Sequence, residues 1–295
     1  DSYGRELTLL GEVWLSPADA ADYIRPGELN QVFYFDLLQQ PFDAEAFRLS
    51  ITETLDCLKG AEGVPTWTLN SHDVHRSVSR YGLVEAEPMT SPDLNALRTR
   101  ARGRVDVELG IRRACAAALL VLALPGSVYL YQGEELGLPE VQDLPDETRQ
   151  DPIWERSGHT EYGRDGCRVP LPWTAHGTNF GFSDDGAQPA WLPQPAWFAD
   201  FAADGQAADP GSVLSCYRGA LRARAEFDPA AEFEWLHTGR EDVLAFRRGA
   251  LSCVTVFDGP EFCPPQSWGA PVYSSLQGRT DPMVLPAGST AWLRR

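Results

Sequence analysis

The chain of 295 residues carries 42 acidic and 25 basic side chains, histidine apart, for a formal net charge of −17 at pH 7. Nucleic acids and anionic membranes bind basic surfaces, so this charge argues against both as partners and fits a protein with neutral ligands. With 295 residues, 43% of them hydrophobic, the chain can bury a sizeable core and form one or two domains.

The six cysteines are irregularly spaced and include no Cys-x-x-Cys pair. This pattern predicts free thiols in a reducing compartment, hence a cytoplasmic location, and argues against structural zinc or a disulfide framework. One disulfide between Cys253 and Cys263 stays open as an alternative, because the two are close in sequence. Asp1 is not an initiator methionine, so the lack of a visible leader carries no weight.

Short apolar runs recur along the first half of the chain, separated by longer helical patterns. Each run has the length and composition of a strand buried on both faces. The runs lie at residues 8–14, 32–37, 66–69 and 128–131. Strand–helix–strand alternation of this kind is typical of parallel strands joined by right-handed crossovers.

The spacing of apolar residues predicts three helices. Asp43 is positioned to cap the first, which we expect to end at Gly60 and Gly63. The second covers 105–124 and is apolar nearly all round, but it is too short to span a bilayer and is predicted to be a core helix. The third covers 212–226.

Other segments lack this alternation. Residues 85–104 are polar and Arg-rich and are predicted to cross the surface, whereas 138–211 are rich in Pro, Gly, Asp and Trp and predict a long functional loop excursion. We therefore expect a first domain at 1–229, which includes that excursion, and a small antiparallel sheet domain at 230–295. The alternating runs that indicate the second domain are 243–247, 251–257, 270–275 and 289–293.

Two carboxylates follow two of the apolar runs. Glu12 lies in the C-terminal part of the first, and Asp73 comes after His72 in the polar loop beyond the third. Paired carboxylates at the C-terminal ends of strands are typical of sugar-cleaving barrels, in which a carboxyl buried beside Trp14 would act as a general acid. The plainer alternatives are a strand-end carboxylate paired with a nearby Arg for Glu12, and a capped turn for His72 and Asp73.

Two further segments contain candidate polar residues. Glu134 and Glu135 lie in a tight turn after the fourth run, and we expect them to orient that loop without reacting. Arg168 lies in the segment 167–173, which is either an irregular surface loop or the source of a residue that binds a hydroxyl or positions a carboxylate.

These segments resemble, in their order, those of α-glucosidases in the α-amylase family, glycoside hydrolase family 13. Gly11-Glu12-Val13-Trp14 is similar to the family's strand-five segment, which carries the acid/base. The segment from Asn70 to Arg76 is similar to strand seven, although Ser71 separates Asn70 from His72 here. The segments 125–137 and 167–173 resemble the strand-eight region and an altered "Arg-Thr-Pro-Met-Gln-Trp" stretch.

The resemblance implies roles for individual residues. Glu12 would be the acid/base, Asp73 the transition-state stabiliser, and His72 and Arg168 substrate-binding residues. The fold implied is a partial TIM (β/α)8 barrel, strands five to eight, followed by a small antiparallel β-sandwich. The segment that supplies the family's nucleophilic Asp, of the type "Gly-Phe-Arg-Ile-Asp-Val-Ala", is not found in the sequence.

The expected activity is retaining hydrolysis of terminal α-glucosidic bonds in maltose-like oligosaccharides, without a metal or organic cofactor. The expected partners are that α-glucoside substrate and the missing N-terminal half of the barrel, without which we predict the chain to be inactive. The alternatives are a glucosyl transferase or isomerase of the same family, such as a trehalose synthase, and a catalytically inactive amylase-like interaction module.

Overall fold

The computed structural model describes residues 4, 7–25, 27–59, 63–87, 101–276 and 284–295. Much of the predicted Arg-rich surface stretch, and the predicted helix end at Gly60, lie outside these residues. The six cysteines all lie within them, and all are free, so the alternative of a Cys253–Cys263 disulfide is wrong.

Parallel pairing of the predicted first-half strands is confirmed, but each strand is only two residues long. Leu10 and Gly11 pair with Gln31 and Val32, and Thr66 and Trp67 pair with Ser127 and Val128. An antiparallel pair, β4 with β5, was not predicted. In chain order the strands of this half are β1 (Leu10–Gly11), β2 (Gln31–Val32), β3 (Thr66–Trp67), β4 (Leu83–Ala86), β5 (Gly103–Val105) and β6 (Ser127–Val128).

Side chains join the two parallel pairs. The hydroxyl of Thr66 donates to the carbonyl of Val32 at 2.6 Å and accepts from the backbone N–H of Tyr34 at 3.3 Å. The amide of Gln31 donates to the hydroxyl of Ser127 at 3.0 Å and accepts from the hydroxyl of Tyr129 at 2.7 Å. Strand β2 is therefore tied to β3 and β6 by polar side chains.

Strand β1 differs from its prediction as a strand buried on both faces. Leu7, Leu9 and Leu15 are exposed, Leu9 by 54%. The physical reason is that β1 pairs with β2 alone among the described residues, which leaves its other edge uncovered. Leu130, two residues after β6, is exposed as well.

The three predicted helices are confirmed with small shifts at their ends, and the shorter helices of the described chain were not predicted. Asp43 accepts a hydrogen bond from the N–H of Ala46 at 2.9 Å, which is a side-chain N-cap. The described α-helices are α1 (Pro17–Ala21), α2 (Ala44–Cys57), α3 (Ser77–Tyr81), α4 (Val107–Ala123), α5 (Pro152–Arg156), α6 (Ala203–Ala208) and α7 (Val213–Arg224). In the described part of the chain, no helix combines the length and the apolar character needed to cross a membrane.

Helix α4 is the centre of the main core. It is buried on all sides from Ala114 onward, as predicted, and packs against α3, α7 and the C-terminal sheet. Its last carbonyls accept from two guanidinium groups that come from distant parts of the chain. Arg224 of α7 donates to the carbonyl of Leu122 and, just beyond the helix, to that of Gly126, whereas Arg248 donates to those of Ala123 and Leu124 at 3.1 and 3.0 Å. Cations at a helix C-terminus are stabilising.

The C-terminal region is one antiparallel sheet. Its spatial order is β10, β11, β9, β8, β7, and the first of its strands in the chain, β7, was not predicted. The strands are β7 (Phe233–Leu236), β8 (Val243–Arg248), β9 (Leu251–Val256), β10 (Ala270–Ser274) and β11 (Ser289–Arg294).

The predicted β-sandwich is wrong for the described residues, which contain no second sheet facing this one. Helices α4 and α7 cover one face of the sheet through residues such as Phe246 and Trp292. Residues outside the five strands, including Phe262, Trp268 and Leu285, cover the other face. The predicted division into 1–229 and 230–295 stays a prediction, while a single apolar core draws on residues from both ranges.

The excursion 138–211 is built from short helices and turns. A separate apolar cluster, which includes Leu138, Leu171, Leu192 and Phe198, holds it together. Because this cluster begins directly after β6, the excursion packs beside the ends of the parallel strands and supplies side chains there.

Candidate active site

Glu12 lies directly after β1. Its side chain is 43% exposed, and the expected burial against Trp14 is wrong, since Trp14 stacks on Phe35 with ring centroids 4.3 Å apart. The open edge of β1 explains the exposure. Glu12 therefore presents its carboxylate to solvent at the end of the strand.

His72 stands between the two predicted carboxylates. Its Nε2 lies 3.5 Å from Oδ1 of Asp73 and 4.0 Å from Oε1 of Glu12. The structure thus brings three polar residues together beyond the ends of β1 and β3. In the sequence, Glu12 is 60 positions from His72 and 61 from Asp73.

Two arginines donate hydrogen bonds to the same carboxylate oxygen of Asp73. Arg168 donates through Nη2 to Oδ1 of Asp73 at 3.0 Å and through Nε to the carbonyl of His72 at 2.8 Å. Arg164 donates through Nη1 to the same Oδ1 at 2.9 Å. Of the alternatives for Arg168, the geometry is that of a carboxylate-positioning residue.

Arg164 was missed by the sequence reasoning. Its guanidinium also binds both oxygens of Asp151, whose side chain is only 2% exposed. Hydrogen bonds with Asp151 and Asp73 raise the pKa of Arg164. Burial alone would raise the pKa of Asp151, but the hydrogen bonds from Arg164 outweigh it and lower that pKa.

The sequence signal for Arg164 was its closeness to Arg168, four positions away across the 3₁₀ turn Asp165–Arg168. A 3₁₀ helix repeats every three residues, so this spacing does not by itself place the two side chains on one face. Asp165 fixes the turn, since its Oδ2 accepts from the N–H groups of Gln150 and Asp151 at 2.7 and 2.9 Å.

The two predicted loop-orienting glutamates behave differently. Glu134 is buried, accepts from Asn70 Nδ2 at 2.7 Å and from the N–H of Tyr131 at 3.2 Å, and burial raises its pKa to about 7. Glu135 accepts from the N–H of Gly133 at 2.7 Å, inside its own turn.

The ligand atoms of Glu12, His72 and Asp73 all lie within 4.8 Å of one another, a spacing that suits a metal ion. However, two guanidinium groups already compensate the charge of Asp73 on Oδ1. A cation at this trio would face both of them across a short distance, so the donor set fits a metal poorly.

Comparison with known proteins decides the family. The sequence model of the family "Alpha amylase, catalytic domain" matches residues 1–231. The chain belongs to the α-amylase family. The solved structures that it resembles are TIM-barrel enzymes with a C-terminal antiparallel sheet, and the five-stranded sheet described above agrees with the second of these features.

Among curated proteins, this member of the α-amylase family is 36% identical over 190 residues to the "Probable alpha-glucosidase" of Rhizobium meliloti, covering 63% of this chain and 29% of that protein. It is 28% identical over 262 residues to "Oligo-1,6-glucosidase IMA5" of Saccharomyces cerevisiae, covering 76% of this chain and 40% of that protein.

Among solved structures, the α-glucosyl transfer enzyme XgtA superposes with a TM-score of 0.72 at 29% identity, over 97% of this chain and 51% of that one. The chain therefore spans about half the length of this structure, and less than half of either curated relative.

Proposed function

We propose that this chain is the part of a retaining α-glucosidase that carries the acid/base and the transition-state stabiliser. The complete enzyme hydrolyses terminal α-glucosidic bonds of maltose-like oligosaccharides. The observation that carries the proposal is the convergence of Glu12, His72 and Asp73 at the ends of parallel strands in a member of the α-amylase family. The two curated relatives, named for glucosidase activity, support the substrate class.

In this mechanism Glu12 protonates the leaving glycosidic oxygen and later removes a proton from the attacking water. Its exposed position after β1 makes it accessible to a bound sugar. Asp73 faces the positive charge that develops at the anomeric carbon, and Arg164 and Arg168 hold its carboxylate in one orientation. His72, next to both carboxylates, is placed to bind a sugar hydroxyl.

A retaining enzyme also needs a nucleophilic carboxylate on the other side of the scissile bond. The sequence contains no segment like the family's nucleophile strand. We therefore propose that the four parallel strands correspond to strands five to eight of a (β/α)8 barrel, and that a polypeptide carrying the other four strands supplies the nucleophile. The exposed leucines beside β1 and β6 support this arrangement, since barrel closure would cover them.

The first test compares the chain alone with the chain combined with an N-terminal half-barrel from a family member. On 4-nitrophenyl α-glucoside and on maltose, we expect no measurable turnover by the chain alone and turnover by the combination. Ordinary glucosidase rates from the chain alone would overturn the need for a second half.

The second test uses Glu12→Gln in the active combination. General acid–base help is worth about 10²–10⁴-fold, so maltose cleavage should fall by that range. Formation of the glucosyl intermediate from the nitrophenyl glucoside should fall less, because nitrophenolate leaves without protonation. Glu85→Gln, on exposed β4, is the control. Equal losses on both substrates would assign Glu12 a structural role.

Glucosyl transfer is the second candidate reaction, and the name of XgtA, an α-glucosyl transfer enzyme of 29% identity, favours it. Product analysis separates the two reactions: a hydrolase releases glucose from maltose, a transferase also forms longer saccharides, and an isomerase forms trehalose. A catalytically inactive interaction module would give none of these products even in the combination.

A further inference from the structure

A buried carboxylate binds the first residue of the loop that carries His72 and Asp73. Asn70, three residues after the end of β3, donates through Nδ2 to Oε2 of Glu134 at 2.7 Å. Its Oδ1 accepts from the N–H of Ser77 at 2.6 Å, which closes the loop on itself. Asn70 therefore connects the start of the loop to Glu134 and to the first turn of α3.

The same loop ends at a second buried carboxylate. Glu140 accepts through Oε2 from the N–H of Arg76 at 2.9 Å, and its Oε1 lies 3.9 Å from Nε2 of His75. Its own N–H donates to the hydroxyl of Ser79 at 2.8 Å. The Arg76 guanidinium adds hydrogen bonds to the carbonyls of Gln132 and Cys167 at 2.9 and 3.0 Å.

Both glutamates come from the segment directly after β6, and their side chains are almost completely buried. Removing a carboxylate from water is costly unless several donors satisfy it. Here donors from the two ends of one loop, Asn70 and Arg76, supply hydrogen bonds to these carboxylates. His72, in the middle of the same loop, is half exposed. The arrangement is rigid at its ends and open at its centre.

Several groups that titrate or carry charge face Glu134 from the surrounding elements. The hydroxyl of Tyr217 on α7 lies 3.4 Å from its Oε1. Among the described residues, its other charged and titratable neighbours include Arg80 and Tyr81 of α3 and Glu135 of its own segment. Burial is the largest influence on Glu134 and outweighs its hydrogen bonds, so the carboxyl changes charge near neutral pH.

We infer that Glu134 and Glu140 are positioning residues that hold the Asn70–Arg76 loop from both ends, and thereby fix His72 and Asp73 for catalysis. The catalytic part of this inference rests on the proposed function. The structural part concerns the loop alone and can be tested without any turnover.

The first experiment measures hydrogen exchange of the 295-residue chain by mass spectrometry. Glu134→Ala and Glu140→Ala should speed exchange of the amides of residues 71–76 by about tenfold or more, because each leaves one loop end without its acceptor. Amides of β8 and β9 should be unchanged, and Glu135→Ala, the matched control, should leave the loop protected. Unchanged loop exchange in both alanine variants would overturn the inference.

If the alanine variants lose protection throughout the chain, the Glu134→Gln variant tests the role of Glu134 instead. Gln keeps the shape of the side chain but cannot ionise. Because burial favours the protonated carboxyl, opening the loop and exposing Glu134 to water is easier when Glu134 is ionised. Loop exchange, corrected for the intrinsic rate, should therefore speed up between pH 5.5 and pH 8 in wild type but not in Glu134→Gln. The same pH dependence in both proteins would overturn the role of Glu134.

The second experiment uses the active combination of half-barrels. Glu134→Ala and Glu140→Ala should lower kcat by about tenfold or more through misplacement of Asp73, with KM changed less. The wild-type pH profile should contain an inflection near pH 7 that Glu134→Gln lacks, and Glu135→Gln should keep it. Retention of that inflection in Glu134→Gln would overturn the catalytic part. Absence of turnover in wild type would count against the proposed function, while the exchange result would still test the loop.

Discussion

The C-terminal sheet and the parallel strands are held together in different ways. Strands β8, β9 and β11 are six residues long and pair in continuous antiparallel register. Strands β1, β2, β3 and β6 are two residues long, and polar side chains such as Thr66 and Gln31 supply the connections between the pairs. Backbone hydrogen bonds thus specify the sheet, whereas the parallel half depends on particular side chains and on helix α4.

Matched tryptophan truncations should have the largest effect on stability. Trp67 of β3 and Trp292 of β11 are both fully buried in the main core, where they donate to the carbonyls of Pro125 and Leu119. Replacing either by Ala should lower the free energy of unfolding by about 3–5 kcal/mol. Urea unfolding followed by circular dichroism should give one transition for both variants, because they share one core. Two separate transitions would mean that the regions unfold independently.

The pH dependence of stability should come from the parallel half. Among the described residues, the buried carboxylates all lie between Glu134 and Asp165, outside the sheet. Folded Glu134 keeps its proton up to about pH 7, whereas an unfolded glutamate loses it near pH 4.3. Its stabilising contribution is therefore complete below about pH 4.3 and is lost as the pH rises to about 7.

Glu134→Gln should remove this loss, which amounts to about 3 kcal/mol across the window. Unfolding free energies measured between pH 4.5 and 8 should fall less steeply for Glu134→Gln than for wild type. Glu135→Gln serves as the control, with the wild-type slope. Parallel curves for wild type and Glu134→Gln would contradict the assignment of the titration to Glu134.

Threonine substitutions compare the two kinds of strand connection directly. Thr66→Val leaves the carbonyl of Val32 and the N–H of Tyr34 without their side-chain partner, and should cost about 2 kcal/mol. Thr255→Val in β9 removes one buried hydroxyl contact with Thr290 but no backbone pairing, and should cost less than about 1 kcal/mol. Thermal or urea unfolding checks both, and a reversed order would contradict the comparison.

Substitutions at the open edge should barely change folding. Leu9→Lys combined with Leu15→Lys places charges on exposed positions beside β1, so the free energy of unfolding should stay within about 0.5 kcal/mol. Self-association of the chain, measured by analytical ultracentrifugation, should decrease because the apolar edge is interrupted. Leu221→Lys, at an exposed position on α7, is the control. Equal effects of the edge and control substitutions would exclude β1 as the contact surface.

Sequence reasoning predicted elements whose signals are local. The cap at Asp43, the core helix α4 and the parallel strands follow from side-chain chemistry and apolar spacing, and Glu12, His72, Asp73 and Arg168 do converge. The burial of Glu12 was predicted wrongly, because burial depends on what covers the edge of β1.

The remaining misses also depend on long-range packing. The β-sandwich prediction was wrong because the alternating strands of the C-terminal sheet indicate that the sheet has an apolar face. They do not indicate whether helices or a second sheet pack against that face. Arg164 was missed since its role requires Asp151 and Asp73, which lie 13 and 91 positions away. Such contacts are decided by the tertiary fold and leave no periodic pattern.

The guanidinium contacts at the end of α4 have a consequence for protein engineering. Arg248 reaches the carbonyls of Ala123 and Leu124 across more than 120 positions, and Trp292 and Thr290 donate to carbonyls of the same helix. The contacts between the sheet and α4 therefore resemble those of an interface between two subunits. Cutting the connection after Asp228 would produce two fragments with complementary surfaces, which makes this connection a suitable place to build a split reporter.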